Sequence, residues 1–273
     1  MTPSSNMDAE PKTRSGEDYK MHFQPREFLR TYFRHPQEQP EDNYLAWALK
    51  MMQKVFCGSG LHGHRLLDVG SGPTIHQVLS ACEVFDEIYL SDFTELNRNE
   101  LQLWLEDSPE AYNWNRIIQY VCDLEGNVDT CESKSERLRR KVRSVLPCDV
   151  NQHPPVCGID PPFDYILTSL CLDAACLDIE MYHQAVAHLA GLLNDGGNLG
   201  VLTSFEATFY YVGNERFKAL SLSEDTVREA MTKAGLSITV YEKHLRSNAD
   251  SNVCSDYKAM VFVVAQKIPE QKE

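Results

Sequence analysis

The sequence contains no C-x-x-C pair, although it has nine cysteines at irregular spacing. Zinc ribbons and thioredoxin-like redox sites are built from such pairs, so neither is expected, and we predict that the protein holds no metal. Cysteines without a disulfide spacing pattern are typical of a reducing compartment. The first residues also lack the basic and apolar segments of a signal peptide. Together these absences predict a cytoplasmic protein.

Positive charge and long hydrophobic runs are also scarce. The chain carries 26 lysines and arginines against 40 aspartates and glutamates, a formal net charge of −14. Because nucleic-acid-binding proteins usually present a basic face, a DNA or RNA partner is not expected. No apolar run approaches the roughly 18 residues that a membrane helix needs, so no membrane partner is expected either. We predict a monomer whose partner is a small molecule.

The length of 273 residues suits a single α/β domain with additions at its ends. Residues 1–17 are polar and rich in proline, serine and glutamate, a composition typical of a disordered tail. Residues 18–273 are then predicted to form one domain. Its first part, residues 18–60, is dense in aromatic side chains and is predicted to form a lid and helices.

Strands and helices alternate along the rest of the chain. Short apolar runs predict seven strands, at residues 65–69, 87–91, 117–121, 163–168, 199–203, 236–242 and 257–266. Amphipathic periodicity predicts helices at residues 43–56, 74–83, 97–104, 132–145, 180–193 and 223–234. This order is typical of a Rossmann-like α/β fold, with a mainly parallel sheet between two helical layers. A loop joins the last two strands, so they are predicted to be antiparallel, which makes the sheet mixed.

The first strand leads into the turn Asp68-Val-Gly-Ser-Gly72. Its two glycines let the backbone turn sharply and approach a ligand closely, at the sheet edge where nucleotides bind. The dinucleotide pattern G-x-G-x-x-G needs a third glycine where this chain has Ile75, so a nicotinamide-dependent oxidoreductase is disfavoured. Asp92 ends the second strand about 20 residues further on, where an acid can bind the hydroxyls of a ribose. The pattern favours a ribose-containing cofactor without a pyrophosphate.

The turn belongs to a longer block, Leu67-Asp-Val-Gly-Ser-Gly-Pro-Thr-Ile-His-Gln-Val-Leu-Ser-Ala-Cys82. This block is similar to the signature of the vertebrate small-molecule N-methyltransferases, which include the nicotinamide, indolethylamine and phenylethanolamine enzymes. Further stretches resemble blocks of the same family, at residues 19–26, 91–98, 120–127, 148–150 and 170–176. The resemblance extends from Tyr19 to Lys267 and implies a class I methyltransferase that uses S-adenosylmethionine.

The resemblance also implies a set of cofactor-binding residues. They are Gly70, Ser71, Gly72 and Thr74 in the turn, Asp92, Phe93 and Asn97 after the second strand, Asp149 and Val150 facing the adenine, Ser169 after the fourth strand, and Phe28, Phe33 and His76. Relatives carry tyrosine where this chain has the last three of these residues. Hydroxyl groups that would bind the methionine end of the cofactor are therefore missing. This loss motivates an alternative of another class, a non-catalytic cofactor-binding protein.

The acceptor end departs further from the family. The residues expected to line it are Tyr19, Asp173, Thr203, Glu206, Tyr210 and Asp256. Asp173 matches an acid found in both the nicotinamide and the phenylethanolamine enzymes. We expect it to be the catalytic residue that orients the acceptor and takes the proton of an alkylamine.

Residues at three positions narrow the choice of acceptor. A nicotinamide enzyme is expected to carry an aspartate near position 203 and small hydroxyl residues near 207 and 219. This chain has Thr203, Ala207 and Ala219, so a carboxamide would miss its partners. The sequence therefore favours N-methylation of a small amine, such as an indolethylamine or a phenylethanolamine. N-methylation of a pyridine such as nicotinamide and S-methylation of a thioether remain alternatives.

Overall fold

The computed structural model describes residues 12–34, 44–58, 60–126, 130–246 and 254–269. The strands are β1 (Thr13–Arg14), β2 (Gly63–Val69), β3 (Phe85–Asp92), β4 (Val142–Pro147), β5 (Phe163–Ser169), β6 (Leu193–Phe205), β7 (Phe209–Val212), β8 (Glu215–Lys218), β9 (Leu236–Leu245) and β10 (Ala259–Lys267). The helices are α1 (Asp18–His22), α2 (Pro25–Tyr32), α3 (Tyr44–Gly58), α4 (Glu95–Leu105), α5 (Asn115–Glu125), α6 (Cys131–Lys141), α7 (Leu172–Ala175), α8 (Ile179–Gly191) and α9 (Glu224–Lys233). Within these residues, no helix is long and apolar enough to cross a membrane.

The large sheet has the strand order β4-β3-β2-β5-β6-β10-β9. Neighbouring strands from β4 to β6 are parallel, whereas β10 runs antiparallel to both β6 and β9. The predicted seven-stranded mixed sheet is confirmed, and so is the antiparallel pairing of its last two strands. Because β2, β3, β5 and β6 are parallel, their carboxyl ends meet at one edge, where ligands bind in such folds.

Alternating side chains of the central strands supply two hydrophobic cores. In β2, Leu66 belongs to the core that includes α3, α4 and α5, while Leu67 belongs to the core that includes α8 and α9. In β5, Tyr165 and Ile166 divide in the same way. Successive side chains of a strand point to opposite faces, so helices cover both faces of the sheet.

One predicted strand is a helix. Residues 117–121 lie in α5, where Ile117, Ile118, Val121 and Cys122 are buried. This spacing is that of one helix face. The strand was predicted because β-branched side chains are typical of strands. The seventh strand is instead β4, at the edge of the sheet. It was not predicted because its side chains are mostly half-exposed and because it follows α6 directly. The predicted helix over residues 132–145 therefore extended four residues too far.

The predicted helix over residues 74–83 is also wrong, because the stretch forms only two 3-10 helices, His76–Val78 and Ala81–Glu83. Its side chains bond to nearby carbonyls. Thr74 Oγ1 donates to the Ser71 carbonyl at 2.8 Å, and Gln77 Nε2 donates to the Thr74 carbonyl at 3.0 Å. Such bonds compete with helical hydrogen bonds and close the segment as tight turns.

The predicted disordered tail is wrong for residues 12–17, while residues 1–11 and Asn43, the predicted start of a helix, lie outside the described residues. Strand β1 pairs in parallel with β8 and so joins the small sheet β1-β8-β7. The Arg14 guanidinium donates to Glu215 Oε2 at 2.8 Å. Backbone hydrogen bonds and an ion pair hold this segment in place. Its polar composition therefore did not indicate that it is ordered.

Candidate active site

A cavity of about 470 Å³ opens at the carboxyl edge of the large sheet. This volume lies within the range of small-molecule sites. The predicted site residues that line it are Tyr19, Phe28, Phe33, Gly70, Ser71, Gly72, Thr74, His76, Asp92, Phe93, Asp149, Val150, Ser169, Asp173 and Tyr210. We call the part around the turn 70–74, where the sequence predicts the cofactor, the cofactor end. The part around Asp173 and Tyr210, where it predicts the acceptor, is the acceptor end.

The turn after β2 needs both of its glycines. Gly70 and Gly72 have φ angles of 72° and 61°, in the left-handed region that L side chains rarely adopt. A Cβ at Gly70 would overlap the Sγ of Cys171, so the turn packs directly against the loop after β5. A Cβ at Gly72 would meet no atom of the described residues within 4 Å. The turn therefore leaves open space for a ligand beside Gly72.

Buried hydrogen bonds fix this turn. Ser71 N–H donates to the Ser91 carbonyl at 2.8 Å, and Gln77 Nε2 donates to Asp68 Oδ2 at 2.7 Å. Burial raises the pKa of Asp68 to about 7, and its Oδ1 has no hydrogen-bond partner among the described residues. Asp68 does not line the cavity. It supports the turn from within the protein.

Asp92 ends β3 and is 5% exposed. Its Oδ2 accepts from Gly72 N–H at 2.9 Å, and its Oδ1 accepts from Thr94 N–H at 2.8 Å and from the Asn97 amide at 3.0 Å. Burial raises the pKa of Asp92, and these donors oppose the rise. A carboxylate oxygen accepts about two hydrogen bonds, so Oδ2 can take one more, from a hydroxyl in the cavity.

Asn97, a predicted cofactor contact, does not line the cavity. It is fully buried in α4, whose first turn is capped by Thr94. Because its amide donates to Asp92 Oδ1, Asn97 orients the acid. This residue therefore lies behind the predicted contact and supports it.

Phe93, Asp149 and Val150 extend the cofactor end beyond Asp92. The Lys20 ammonium of α1 lies 4.1 Å from the centre of the Phe93 ring and so ties the N-terminal segment to this edge. Asp149 Oδ1 accepts from the Asn151 N–H at 3.0 Å. Its other oxygen can accept from an amino group in the cavity.

Helix α2 and the residue after it carry an aromatic lid. The rings of Phe28 and Phe33 both line the cavity, with centroids 5.6 Å apart. Phe33 packs against His76 at 4.7 Å and Trp114 at 5.4 Å. Burial lowers the pKa of His76 to about 3. His76 is therefore a neutral ring among aromatic neighbours, and it brings no positive charge to the cavity.

The acceptor end is built around a buried carboxylate. Asp173 lies in the short helix α7 and is 5% exposed. Its Oδ2 accepts from the Ser204 hydroxyl at 2.6 Å, whereas its Oδ1 has no partner among the described residues. Burial raises the pKa of Asp173, and the Ser204 bonds oppose the rise. One carboxylate oxygen is thus available to a donor in the cavity.

Aromatic rings line the same end of the cavity as Asp173. Tyr210 of β7 stacks on Phe217 of β8, with ring centroids 5.4 Å apart, and Tyr19 of α1 meets Phe217 edge-on at 5.5 Å. Burial raises the pKa of Tyr19 and of Tyr210 well above its ordinary value, so both phenols stay protonated. The walls are thus neutral and flat.

Residues 11–268 match the sequence model of the NNMT/PNMT/TEMT family. The chain belongs to this family. It is 39% identical to the nicotinamide N-methyltransferase of Homo sapiens over 256 residues, which cover 93% of this chain and 96% of that protein. It is 40% identical to the indolethylamine N-methyltransferase of Mus musculus over 256 residues, with the same coverage. The family predicted from the sequence blocks is confirmed.

The fold of this family member is also found at low sequence identity. The magnesium protoporphyrin IX methyltransferase of Synechocystis PCC 6803, solved with bound S-adenosylmethionine, superposes with a TM-score of 0.57 at 15% identity. The match covers 92% of this chain and 94% of that protein. The likeness supports the Rossmann-like architecture.

Three predicted acceptor residues do not line the cavity: Thr203, Glu206 and Asp256. Thr203 is buried in β6, and the alternation of the strand turns it away from the face of Ser204, which does line the cavity. Glu206 is exposed beyond the end of β6. Asp256 accepts from the Thr208 N–H at 2.7 Å and its hydroxyl at 2.6 Å, so it fixes the loop before β7.

Several lining residues were not predicted: Tyr32, Tyr44, Ser204, Tyr257 and Met260. The position of Ser204 near the carboxyl end of a parallel strand was a usable signal. Tyr44 and Tyr257 come from segments far apart in the chain, so no local pattern links them to the turn. Only the folded sheet brings them together.

Two of the residues that line the cavity are thiols, Cys148 and Cys171. Burial raises the pKa of Cys148 to about 12 and that of Cys171 well above its usual value. Both therefore stay protonated at neutral pH. Among the described residues, no three histidine, cysteine or acidic side chains form a group able to hold a metal ion.

Proposed function

We propose that this S-adenosylmethionine-dependent small-molecule N-methyltransferase acts on an amine of the arylalkylamine type, such as an indolethylamine or a phenylethanolamine. The observation that carries the proposal is Asp173, whose Oδ1 lacks a partner among the described residues. A buried carboxylate with an empty acceptor position favours a cationic or N–H-donating ligand, because charge-assisted hydrogen bonds are the strong ones.

The cofactor end fits S-adenosylmethionine. Asp92 would accept from the ribose, Asp149 and Val150 would face the adenine, and Phe28 and Phe33 would cover the methionine end, where aromatic faces favour a sulfonium. The open space beside Gly72 provides the room. When bound, the cofactor supplies an electrophilic methyl group, whose C–S bond breaks as the acceptor nitrogen forms its new N–C bond.

Asp173 would prepare the acceptor nitrogen. An alkylamine is protonated at neutral pH, and its nitrogen has no lone pair until that proton leaves. Asp173 Oδ1 would hold the ammonium and take the proton. Because burial raises the pKa of Asp173, this carboxylate is a stronger base than an exposed aspartate.

The aromatic walls would orient the acceptor and exclude water. The rings of Tyr210 and Phe217 are nearly parallel, at 21°, and present a flat surface to a planar ring. Tyr19, from the N-terminal segment, meets the Phe217 ring edge-on. Holding the two reactants in fixed contact, away from solvent, supplies much of the rate in a transfer that needs little further chemistry.

A pyridine acceptor is less well served by these residues. A pyridine nitrogen already has a free lone pair at neutral pH and needs no base. Ala207 and Ala219 line the cavity and offer no side-chain hydrogen bond to a carboxamide. A polar group left unpaired in a closed site costs binding energy, so nicotinamide is the second candidate.

A panel of acceptors tests the proposal. Turnover of tryptamine, phenylethanolamine, nicotinamide and dimethyl sulfide is measured with methyl-labelled S-adenosylmethionine, using the wild type and Asp173→Asn. We expect the two amines to be the best acceptors. Asp173→Asn should lower their kcat roughly 100-fold or more, because a general base contributes on that order. Calorimetry with S-adenosylhomocysteine should show unchanged cofactor affinity.

Two outcomes would contradict the proposal: nicotinamide as the best acceptor, or full amine turnover by Asp173→Asn. Cofactor binding without transfer to any acceptor would support a non-catalytic cofactor-binding protein instead. The monomeric state, the cytoplasmic location and the absence of a nucleic-acid partner stay predictions from the sequence.

A further inference from the structure

Ser204 directs two donors at one oxygen of Asp173. Its hydroxyl lies 2.6 Å and its backbone N–H 3.4 Å from Asp173 Oδ2. Ser204 lines the cavity and is only 5% exposed, so bulk water does not compete for these bonds. With Oδ2 occupied, Oδ1 is the oxygen without a partner among the described residues.

We propose that Ser204 is a positioning residue, which holds the Asp173 carboxylate so that Oδ1 meets the acceptor nitrogen. The inference rests on the proposed function, since it assigns a partner to the same base. The two oxygens of a free carboxylate are equivalent, and torsion about the last side-chain bond is soft. A fixed donor makes them different, and productive geometry in a transfer reaction tolerates little displacement.

Among the residues that the structure describes, the titratable groups that interact with the Asp173 carboxylate carry no positive charge that would compete with Ser204. Those that interact with the carboxylate electrostatically are Cys171 and Cys176 beside α7, Tyr182 of α8 and Tyr210 of β7. Burial raises the pKa of each, so all four are neutral at pH 7. The Lys218 ammonium is exposed and donates to the Leu177 carbonyl at 2.9 Å.

Ser204 thereby also influences the charge of Asp173. Burial favours the neutral acid and raises its pKa, while the Ser204 hydroxyl bonds to the carboxylate and opposes that rise. A cationic amine needs the ionised acid. Loss of the hydroxyl therefore moves the pKa of Asp173 further up and shifts the acidic limb of the kcat/KM profile to higher pH.

The experiment compares Ser204→Ala, Ser204→Thr and Thr203→Val in the full-length protein with tryptamine as acceptor. Ser204→Ala should lower kcat/KM roughly 10- to 100-fold, the effect of losing a hydrogen bond to a charged group. The acidic limb should move to higher pH, and S-adenosylhomocysteine affinity should not change. Ser204→Thr restores a hydroxyl and should recover most of the activity. Thr203→Val, on the other face of β6, should behave as wild type.

Ser204→Ala with wild-type kcat/KM and an unmoved pH profile would overturn the inference, even if Asp173→Asn is inactive. An active Asp173→Asn would remove the proposed function and this inference with it. If Ser204→Ala fails to fold, as judged by lost cofactor binding and thermal unfolding, Ser204→Thr decides. The kcat/KM profile of Ser204→Thr must then match that of the wild type. A shifted profile or an inactive variant would contradict a positioning role for the hydroxyl.

Discussion

The two ends of the cavity are built in opposite ways. At the cofactor end, Asp92 already accepts four hydrogen bonds, and the turn is fixed by its own neighbours. At the acceptor end, neutral rings line the cavity beside a carboxylate that keeps one oxygen unpartnered among the described residues. The first end is held by hydrogen bonds within the protein, whereas the second leaves one carboxylate oxygen for a ligand donor. Cofactor binding and acceptor choice should therefore respond to different substitutions.

Of the substitutions that test this contrast, Gly70→Ala is expected to have the largest effect on cofactor binding. The new Cβ would overlap Cys171 Sγ, and the φ of 72° would add strain of roughly 1–3 kcal/mol. We expect the loss of detectable S-adenosylhomocysteine binding in calorimetry and a lower melting temperature. The matched control is Gly235→Ala, where φ is 71° and a Cβ meets no atom of the described residues within 4 Å. Equal cofactor affinity in the two variants would show that the close approach at Gly70 does not matter.

Asp92→Asn is expected to weaken cofactor binding roughly 10- to 100-fold, because an amide nitrogen would face donors that now bond to a carboxylate. Turnover at saturating cofactor should change less, since the acceptor end is untouched. Titration with S-adenosylhomocysteine measures the affinity. Asp256→Asn is the control, because that carboxylate also accepts several hydrogen bonds but lies outside the cavity lining. A lower kcat with unchanged S-adenosylhomocysteine affinity would show that Asp92 serves the acceptor end and not the cofactor end.

The contrast also explains how far the sequence could predict the site. The turn 68–77 and Asp92 lie close together in the chain. Their spacing was therefore enough to predict the cofactor end, including the acid expected to bind the ribose. The acceptor end combines segments near residues 19, 173, 204 and 257, and one-residue accuracy at a strand end decides which side chain faces the cavity. The family resemblance points to Thr203, whereas Ser204 lines the cavity, because the side chains of β6 alternate between two faces that only the fold assigns.

The fold was predicted in outline because strand–helix alternation is a strong pattern, and it failed where two signals competed. In α5, β-branched residues outweighed a helical spacing of buried positions. At residues 74–83, side-chain hydrogen bonds to the backbone replaced an expected helix. Strand β1 is held by pairing with a partner some 200 residues away, which no local composition can show.

A smaller effect is expected from pH, through the residue beneath the turn. Burial raises the pKa of Asp68 from 3.8 to about 7, so the folded protein keeps a proton that the unfolded chain releases. The free energy of unfolding should therefore fall as pH rises towards and through 7, by roughly 1 kcal/mol between pH 6 and pH 8.

Urea unfolding of the wild type and of Asp68→Asn at pH 6 and pH 8 measures this contribution. The amide cannot titrate, so its variant should lose that part of the pH dependence. Asp173, whose pKa is also raised, remains in both proteins and cancels in the comparison. An identical pH dependence in the two proteins would show that Asp68 is ionised in the fold.

The smallest effect is expected where the lid meets the cofactor end. Phe28 lines the cavity and is only partly buried, so a hydroxyl added by Phe28→Tyr can bond to the ligand without being left unpaired in the core. One such bond contributes about 0.5–1.5 kcal/mol, which corresponds to S-adenosylhomocysteine binding roughly two- to tenfold tighter. Phe209→Tyr, on a ring outside the cavity lining, should leave the affinity unchanged. Weaker binding by Phe28→Tyr would mean that the lid packs too closely for the hydroxyl, and that this chain uses an apolar contact at Phe28 to hold its cofactor.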